Sequence, residues 1–548
     1  MAPLWRVGDR IQNRWEVHRL QHGARGIVYI VYDHETHLPY AAKTFTEDSL
    51  AAHPALAERF VPAAQAWIAL AGHYNVTQAH RVEILDGHPL VFLEHISGGS
   101  LSAWLGLPRL TQDLPQLLRL AMQCCDGLLY ASANGLTVHG QITPQNCLMT
   151  RDGVLKVTDF GLALLTPPST DMGAAPATHL APELFADPTC MEVRTDVYAF
   201  GVLLFQMAMG KVPFAGQTWQ ELAHLQRTQP PPPLSPQSAV LSPLLEACLA
   251  KDPAQRWADF HAVRARLAEI YQGLTHTSAP QPVVGEEFEV VQWNDSGAGL
   301  ESLGRYQDAL ACYDRALTLN SRADLTWVHR GTVLEALGRT EDALVCCDHA
   351  LQLNPQSEQA LVAKGMMLGA LGQIEEARTY CDRALKINPR NEQAWVNMGV
   401  ALDALGRGME ALGCYNNALT LNPRNAEAWF NAGVVLGELG RHAEALGCCE
   451  RALALNPRNE PAWVNRGLTL AELQRPEEAL ACFEQALALN PNQEQAWFNK
   501  GVTLVHAFER YAEALACFEA AERLGYEPAA EGVALCQQEL GQQRGTRG

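Results

Sequence analysis

The sequence predicts a multidomain chain: an α+β domain over residues 1–272, then an all-α solenoid of paired helices over residues 290–527. Three observations predict it. Residues 1–270 alternate short β-branched and aromatic runs with longer helix-like stretches. Residues 273–285 are rich in Thr, Ser, Pro and Gln and read as a linker, which is taken to extend over 273–289. Beyond it, an Asn-Pro pair recurs with a spacing of 34 residues, at Asn354, Asn388, Asn422, Asn456 and Asn490.

In chain order, Gly23 and Gly26 precede Val28-Tyr29-Ile30-Val31-Tyr32, an apolar run of strand type. Tyr40-Ala41-Ala42-Lys43 reads as a second strand, residues 55–70 as a helix and residues 90–94 as a further strand. Gly98-Gly99 opens the next helix. The apolar run at 197–210 is too short to span a bilayer and reads as a buried core helix.

Taken as an ordered set, these features resemble the eukaryotic-type protein kinases, in the style of the bacterial Ser/Thr members, over nearly all of residues 10–270. The resemblance implies a bilobal α+β protein-kinase fold. It implies ATP and Mg2+, weakly held, with Gly23, Gly26, Val28, Ala41 and Leu148 around the nucleotide and Lys43 on its α- and β-phosphates. Leu93 matches the gatekeeper. Glu94 and Ile96 match the hinge that meets adenine through its backbone. Asp159-Phe160-Gly161 matches the metal-binding triplet, Asn146 a second metal ligand, and Ala181-Pro182-Glu183 the end of the activation segment. By the same resemblance Arg256 pairs with Glu183, and Asp196 braces the catalytic loop.

The departures from the family pattern bear on activity. The loop reads His139-Gly140-Gln141-Ile142-Thr143-Pro144-Gln145-Asn146, so Gln141 stands where the catalytic aspartate belongs. An amide has no basic site near neutral pH and cannot act as a general base. Thr143 replaces the loop lysine, Gln21 the first glycine of the phosphate loop, and Pro176 the threonine ahead of Ala-Pro-Glu. The glutamate that should pair with Lys43 falls at Ala63, and Pro62 is expected to start or kink that helix rather than lie inside it. No catalytic residue is intact, and the expectation is a pseudokinase. Lys43, Asn146 and Asp159 then either serve nucleotide and Mg2+ or persist as fold elements, with Lys43 paired directly to Asp159. The alternative is an active Ser/Thr protein kinase, because phosphoryl transfer leans heavily on positioning and electrostatics.

Within the 34-residue repeat the skeleton Trp395, Gly399, Leu402, Ala411, Tyr415, Ala418 and Pro423 returns as Trp429, Gly433, Leu436, Ala445, Cys449, Ala452 and Pro457. Small residues such as Gly399 and Ala411 let two helices approach, Trp395 and Tyr415 fill the space between neighbouring units, and Pro423 ends the unit. This skeleton resembles the tetratricopeptide repeat (TPR) family and implies a right-handed superhelical solenoid. Seven units start near Val290, Asp324, Glu358, Glu392, Ala426, Glu460 and Glu494; the last carries one extra residue, and residues 528–548 form a capping helix and tail. Asn397, Asn431, Asn465 and Asn499 share one repeat position on the first helix of each pair, which in this family lines the groove. Such a row is similar to the asparagine ladder of O-GlcNAc transferase and suits a peptide backbone, since each amide can donate and accept. Val396, Phe430, Val464 and Phe498 lie beside it and are expected to take apolar side chains. Position two holds Gln393, Glu427, Pro461 and Gln495, with no lysine, against a carboxylate-clamp type.

Composition sets the outer limits. Hydrophobic residues make up 48% of the 548, enough to bury cores in both parts. The net charge is −19, and from residue 281 onward 36 acidic residues face 22 basic ones. Without a basic stripe, nucleic acid and anionic membrane are excluded as expected partners, leaving protein or peptide. The first ten residues hold no apolar h-region. The 15 cysteines, three pairs of them adjacent, fit neither a disulfide framework nor zinc spacing; they suit small buried hydrophobes in a reducing cytoplasm.

Overall fold

The computed structural model describes residues 4–23, 26–52, 55–70, 72–105, 108–162, 165, 177–283 and 286–545. The chain divides into two compact units, Met1–Pro355 and Gln356–Gly548.

The first unit opens with an antiparallel sheet of β1 (Arg10–Ile11), β2 (Trp15–His22), β3 (Gly26–Asp33), β4 (Leu38–Phe45), β5 (Ala79–Leu85) and β6 (His88–Glu94), ordered β1-β2-β3-β4-β6-β5. Side chains alternate between the faces of a strand. Ile27, Tyr29 and Val31 therefore join Trp15, Tyr40, Ala42 and Phe92 in a core on one face. The cross-strand partners Val28 with Lys43, and Ile30 with Ala41, belong to the other face. Helices α1 (Glu47–Ala52) and α2 (Ala55–Ile68) join β4 to β5.

Pro62 lies inside α2, where the sequence reading kept it out of the helix interior. The reason is its face. Leu56, Phe60, Ala64 and Trp67 are buried and hold the helix, whereas Pro62 and Glu58 are exposed. The carbonyl left without its proline partner, that of Glu58, is then on the side water can reach.

A larger helical lobe follows: α3 (Pro108–Thr111), α4 (Leu114–Ala133), a small sheet of β7 (Cys147–Met149) and β8 (Leu155–Val157), α5 (Val193–Met209), α6 (Trp219–Thr228), α7 (Ser242–Cys248) and α8 (Phe260–Thr275). Helix α5 takes up the apolar run and is buried along most of its length, with Gly210 as a left-handed C-cap.

The first unit also contains two helix pairs, α9 (Glu286–Ser302) with α10 (Tyr306–Leu319) and α11 (Asp324–Ala336) with α12 (Thr340–Leu353). Helix α9 begins inside the segment read as linker. It packs on the first lobe rather than hanging free of it: Tyr32 and Leu38 join Leu300, Ala309, Tyr313 and Val333 in one apolar cluster. Polar contacts ring that cluster. The Tyr32 hydroxyl donates to Asp308 at 2.8 Å, Arg305 reaches Glu16 at 3.1 Å, and Arg151 meets Glu301 at 2.7 Å. The segment read as linker is therefore not where the two compact units divide.

The second unit holds five further pairs, α13 (Glu358–Ala370) with α14 (Ile374–Ile387), α15 (Glu392–Ala404) with α16 (Gly408–Leu421), α17 (Ala426–Glu438) with α18 (His442–Leu455), α19 (Glu460–Glu472) with α20 (Pro476–Leu489), and α21 (Glu494–Phe508) with α22 (Tyr511–Arg523), then α23 (Ala529–Gly545). The 34-residue period is set by packing inside each pair. A Cβ at Gly399 would stand 2.5 Å from the Tyr415 ring, and one at Gly467 2.5 Å from the Phe483 ring. Tyr415 thus fills its own pair first, where the sequence suggested the gap between units. Where Cys449 replaces the aromatic, the matching distance at Gly433 relaxes to 3.3 Å. Asn391, Asn425 and Asn459 cap the first helices by accepting from the backbone N–H three residues on. Trp395, Trp429, Trp463 and Trp497 donate to the carbonyls of Pro389, Pro423, Pro457 and Pro491. Fourteen of the 15 cysteines are buried, all are free thiols, and Cys190 is exposed. Among the described residues no helix is long and apolar enough to cross a membrane.

Candidate functional site

The cleft of the first unit is lined from both lobes. Strand pairing puts Val28, Ala41, Lys43 and Leu93 on the sheet face that carries Val91. Val28, Ala41 and Leu148 are half-buried, and Ile96 is buried. Gly23 and Gly26 close the β2–β3 hairpin by a 2.8 Å backbone bond. A Cβ on Gly26 would stand 2.6 Å from the Thr44 carbonyl, so that close approach requires glycine. Gln21 pairs across the hairpin with Val28. Pro176 lies outside the described residues.

Lys43 makes its ion pair with Asp159. The only acid among the described side chains of α2 is Glu58, which is exposed. Ala63 instead stands over the loop after Asp159: its carbonyl oxygen is 3.7 Å and its Cβ 3.8 Å from where a Gly161 Cβ would be. Asp159 itself has a φ of 72°, a left-handed conformation that costs energy in a non-glycine residue. Phe160 is fully buried, edge-on to Trp67 of α2 at 6.2 Å and to His139 at 5.0 Å. One ring therefore joins the small-lobe helix to the loop below.

That loop is braced as a unit. The Asp196 carboxylate accepts from the backbone N–H groups of His139 at 2.6 Å and Gly140 at 2.9 Å. Burial pushes its pKa up to about 7 against the pull of those two donors. Burial lowers the pKa of His139. Its Nε2–H donates to the Thr158 carbonyl at 2.8 Å, and its Nδ1 accepts from the Gln141 N–H at 3.2 Å. The Asn146 amide donates to the Gln141 carbonyl at 2.9 Å, which leaves Asn146 Oδ1 for a cation. Thr143 is buried and accepts from the Asn146 N–H through its carbonyl. The loop from His139 to Asn146 contains no carboxylate, so the Gln141 amide is the side chain at the position of a base. Asn146 and Asp159 fit a hard cation.

Arg256 is 4% exposed and grips both oxygens of Glu183 at 2.7 Å, and it donates to the carbonyls of Ala250, Arg194 and Lys251. This is the pairing that the kinase resemblance implied.

In the second unit Asn397, Asn431, Asn465 and Asn499 are half-buried on α15, α17, α19 and α21. These first helices touch one another along the array (α13 with α15, and so on to α21). Asn397 reaches back to the Val362 carbonyl at 3.4 Å and accepts from Gln393 at 3.0 Å; Asn465 reaches Cys449 Sγ at 3.4 Å. The residues beside them are largely spent on packing. Val396 and Val464 are buried, Phe430 packs against the cluster of Ala452, Leu453 and Ala462, and Phe498 meets Phe518 and Tyr526 at tilted ring contacts. On a helix of 3.6 residues per turn, neighbours i and i+1 do not share a face, whereas i and i+3 do. The apolar side chains that share the asparagine face are Val400 and Leu468, which are 45% and 41% exposed, with Val434 and Val502 half-buried. Sequence reasoning missed this stripe, although the i+3 spacing was there to find it.

Comparison with known proteins agrees with this layout. A family model described as "Protein tyrosine and serine/threonine kinase" matches residues 16–267. Models described as "Tetratricopeptide repeat" match residues 396–460 and 439–500, and the "Cilia and flagella-associated protein 70 middle TPR-like domain" matches residues 297–422. Serine/threonine-protein kinase Pkn1 of Myxococcus xanthus is 34% identical over 275 residues, 48% of this chain and 38% of that protein. The kinase domain of Mycobacterium tuberculosis PknI is 23% identical, covering 50% of this chain and all of that one at a TM-score of 0.41. YrrB, titled a TPR protein with an unusual peptide-binding site, is 25% identical over 34% of this chain and 95% of its own, at a TM-score of 0.27. The chain spans between 38% and 51% of the length of the curated bacterial kinases Pkn1, CA_C1728 and drp72 that it matches. Its first part is a domain of the tyrosine and serine/threonine protein kinase family, and tetratricopeptide repeats follow it.

Proposed function

We propose that this chain is a cytoplasmic signalling scaffold: a pseudokinase domain that holds Mg-ATP weakly without transferring its phosphate, joined to repeats that grip an extended peptide. One observation carries the reading. At the position of the base stands the Gln141 amide, on a loop otherwise built as a kinase catalytic loop, with Asp196 beneath it and Asn146 beside it. Nothing there accepts a hydroxyl proton at neutral pH. Lys43 and Asp159, being paired to each other, must part before phosphate and metal engage them, which favours weak binding. Buried free thiols suit a reducing compartment. The row of asparagines, with an apolar residue three positions on, suits a peptide backbone and its alternate side chains.

The reading is tested by titrating the full chain with Mg-ATP in a calorimeter and assaying phosphotransfer on the same sample. Binding without turnover supports it; turnover that depends on Asp159 removes it. The second reading, an active Ser/Thr kinase whose repeats recruit substrate, is favoured by relatives named Ser/Thr kinases and by the retained Lys43, Asn146 and Asp159.

A further inference from the structure

The Glu94 side chain is committed behind the hinge, and part of what it meets there comes from the first repeat. Its Oε1 accepts from the Gln78 N–H at 2.8 Å and its Oε2 from Lys156 Nζ at 2.8 Å. Lys156 belongs to β8, three residues before Asp159, and is 1% exposed. A buried ammonium persists only when its charge is matched. The second match is Asp295 of α9, whose Oδ2 lies 2.8 Å from the same Nζ.

Three further contacts of α9 address the same segment. Gln292 donates to the Gln78 side chain, which is the residue that binds Glu94 through its backbone. Ser302 Oγ lies 3.1 Å from His95 Nε2. A Cβ at Gly299 would stand 2.8 Å from Pro39 Cγ and 3.3 Å from His95 Cδ2, so α9 comes this near only because residue 299 lacks a side chain. Residues 292, 295, 299 and 302 are spaced by three, four and three, which is one face of one helix. The other ion pairs of this interface among the described residues, Arg151 with Glu301, Asp152 with His329 and Arg305 with Glu16, do not touch the hinge.

We infer that α9 is a positioning element for the hinge. Asp295, acting through Lys156, fixes the backbone of Glu94 and His95, so the seating of the first repeat and the occupancy of the cleft are coupled. The ligand of that coupling, Mg-ATP, rests on the nucleotide reading above; the clamp on the hinge does not. Coupling of this kind is reciprocal: whatever loosens α9 weakens nucleotide, and nucleotide tightens α9.

The test uses the full chain and amide hydrogen exchange at residues 90–97, alongside calorimetry with Mg-ATP. Asp295→Asn keeps the shape and removes the charge. Gly299→Val keeps every charge and lifts the helix. Both should speed exchange in the hinge segment by about ten-fold or more, with α4 and α15–α22 unchanged. Glu301→Gln, on the same interface, should leave the hinge as it is. Mg-ATP affinity should fall by about five-fold or more in the first two variants and not in the third. Hinge exchange at the wild-type rate in both Asp295→Asn and Gly299→Val overturns the inference. If the wild type binds no Mg-ATP, the nucleotide reading fails, and hinge exchange alone still decides whether α9 positions the hinge.

Discussion

The Lys43 ammonium rests on the Asp159 carboxylate. In the family pattern each has another partner: the lysine a glutamate of the small-lobe helix, the aspartate a metal ion. Ala63 stands where that glutamate is expected, and the two residues pair with one another.

Nucleotide binding should therefore be weak, Mg2+-dependent and sensitive to that pair. At a ligand concentration ten times the dissociation constant, mass action adds about 1.4 kcal/mol of stability. Thermal shift of the wild type should respond at millimolar Mg-ATP, and Lys43→Ala should not. A flat response in the wild type, or an equal one in the variant, contradicts this.

A buried histidine gives a pH dependence of definite sign. Burial holds His179 neutral, its pKa lowered to about 4. In the unfolded chain it titrates near 6.5, so its contribution is complete above that pH and lost as pH falls toward 4. Asp196, whose pKa is raised, works in the opposite direction over part of the same range. The site is therefore isolated by difference. Between pH 7.5 and 4 the wild type should lose on the order of 3 kcal/mol relative to His179→Gln, read from urea melts. A pH-independent difference contradicts the assignment.

Much of this architecture is legible in the sequence, and the failures have physical causes. The kinase motifs and the 34-residue period could be read because each residue there is fixed by one tight contact, such as Gly399 against Tyr415 or Arg256 against Glu183. Strands β2 and β5 were not marked. In β2 only Trp15 and Val17 are buried, and β5 (Ala79–Leu85) buries just its ends. Pro62 misled because its helix is held by a buried face the proline does not touch. The docking of α9 left no sequence period at all. It rests on single residues such as Gly299, Asp295 and Lys156, whose meaning depends on a surface far away in the chain.

That docking gives a stability prediction. Residues 1–275 alone lack the cover over Tyr32, Leu38 and Lys156 that α9 and α10 supply. The fragment should melt at a lower temperature than the kinase transition of the full chain, and residues 1–355 should restore it. Equal melting of 1–275 and 1–355 would show that the first repeat adds nothing to the fold.

The groove prediction concerns Asn431 and Asn465 and the stripe three residues on. On the proposed reading, each amide would contribute about 0.5–1.5 kcal/mol to a bound peptide backbone. With a partner captured by residues 356–548, Asn431→Ala/Asn465→Ala should weaken binding by roughly five-fold to over a hundred-fold. Val400→Ser/Leu468→Ser should also weaken it, and neither should change the circular-dichroism melt. Unchanged affinity in both variants would place the partner on the other face.

The central claim, that Gln141 leaves this domain without a catalytic base, is tested most directly by a radiolabelled phosphotransfer assay on the purified full chain with Mg-ATP and generic Ser/Thr substrates. The account predicts incorporation no higher than in Lys43→Ala, for autophosphorylation and for substrate alike. Robust autophosphorylation in the wild type that Asp159→Ala abolishes would contradict it.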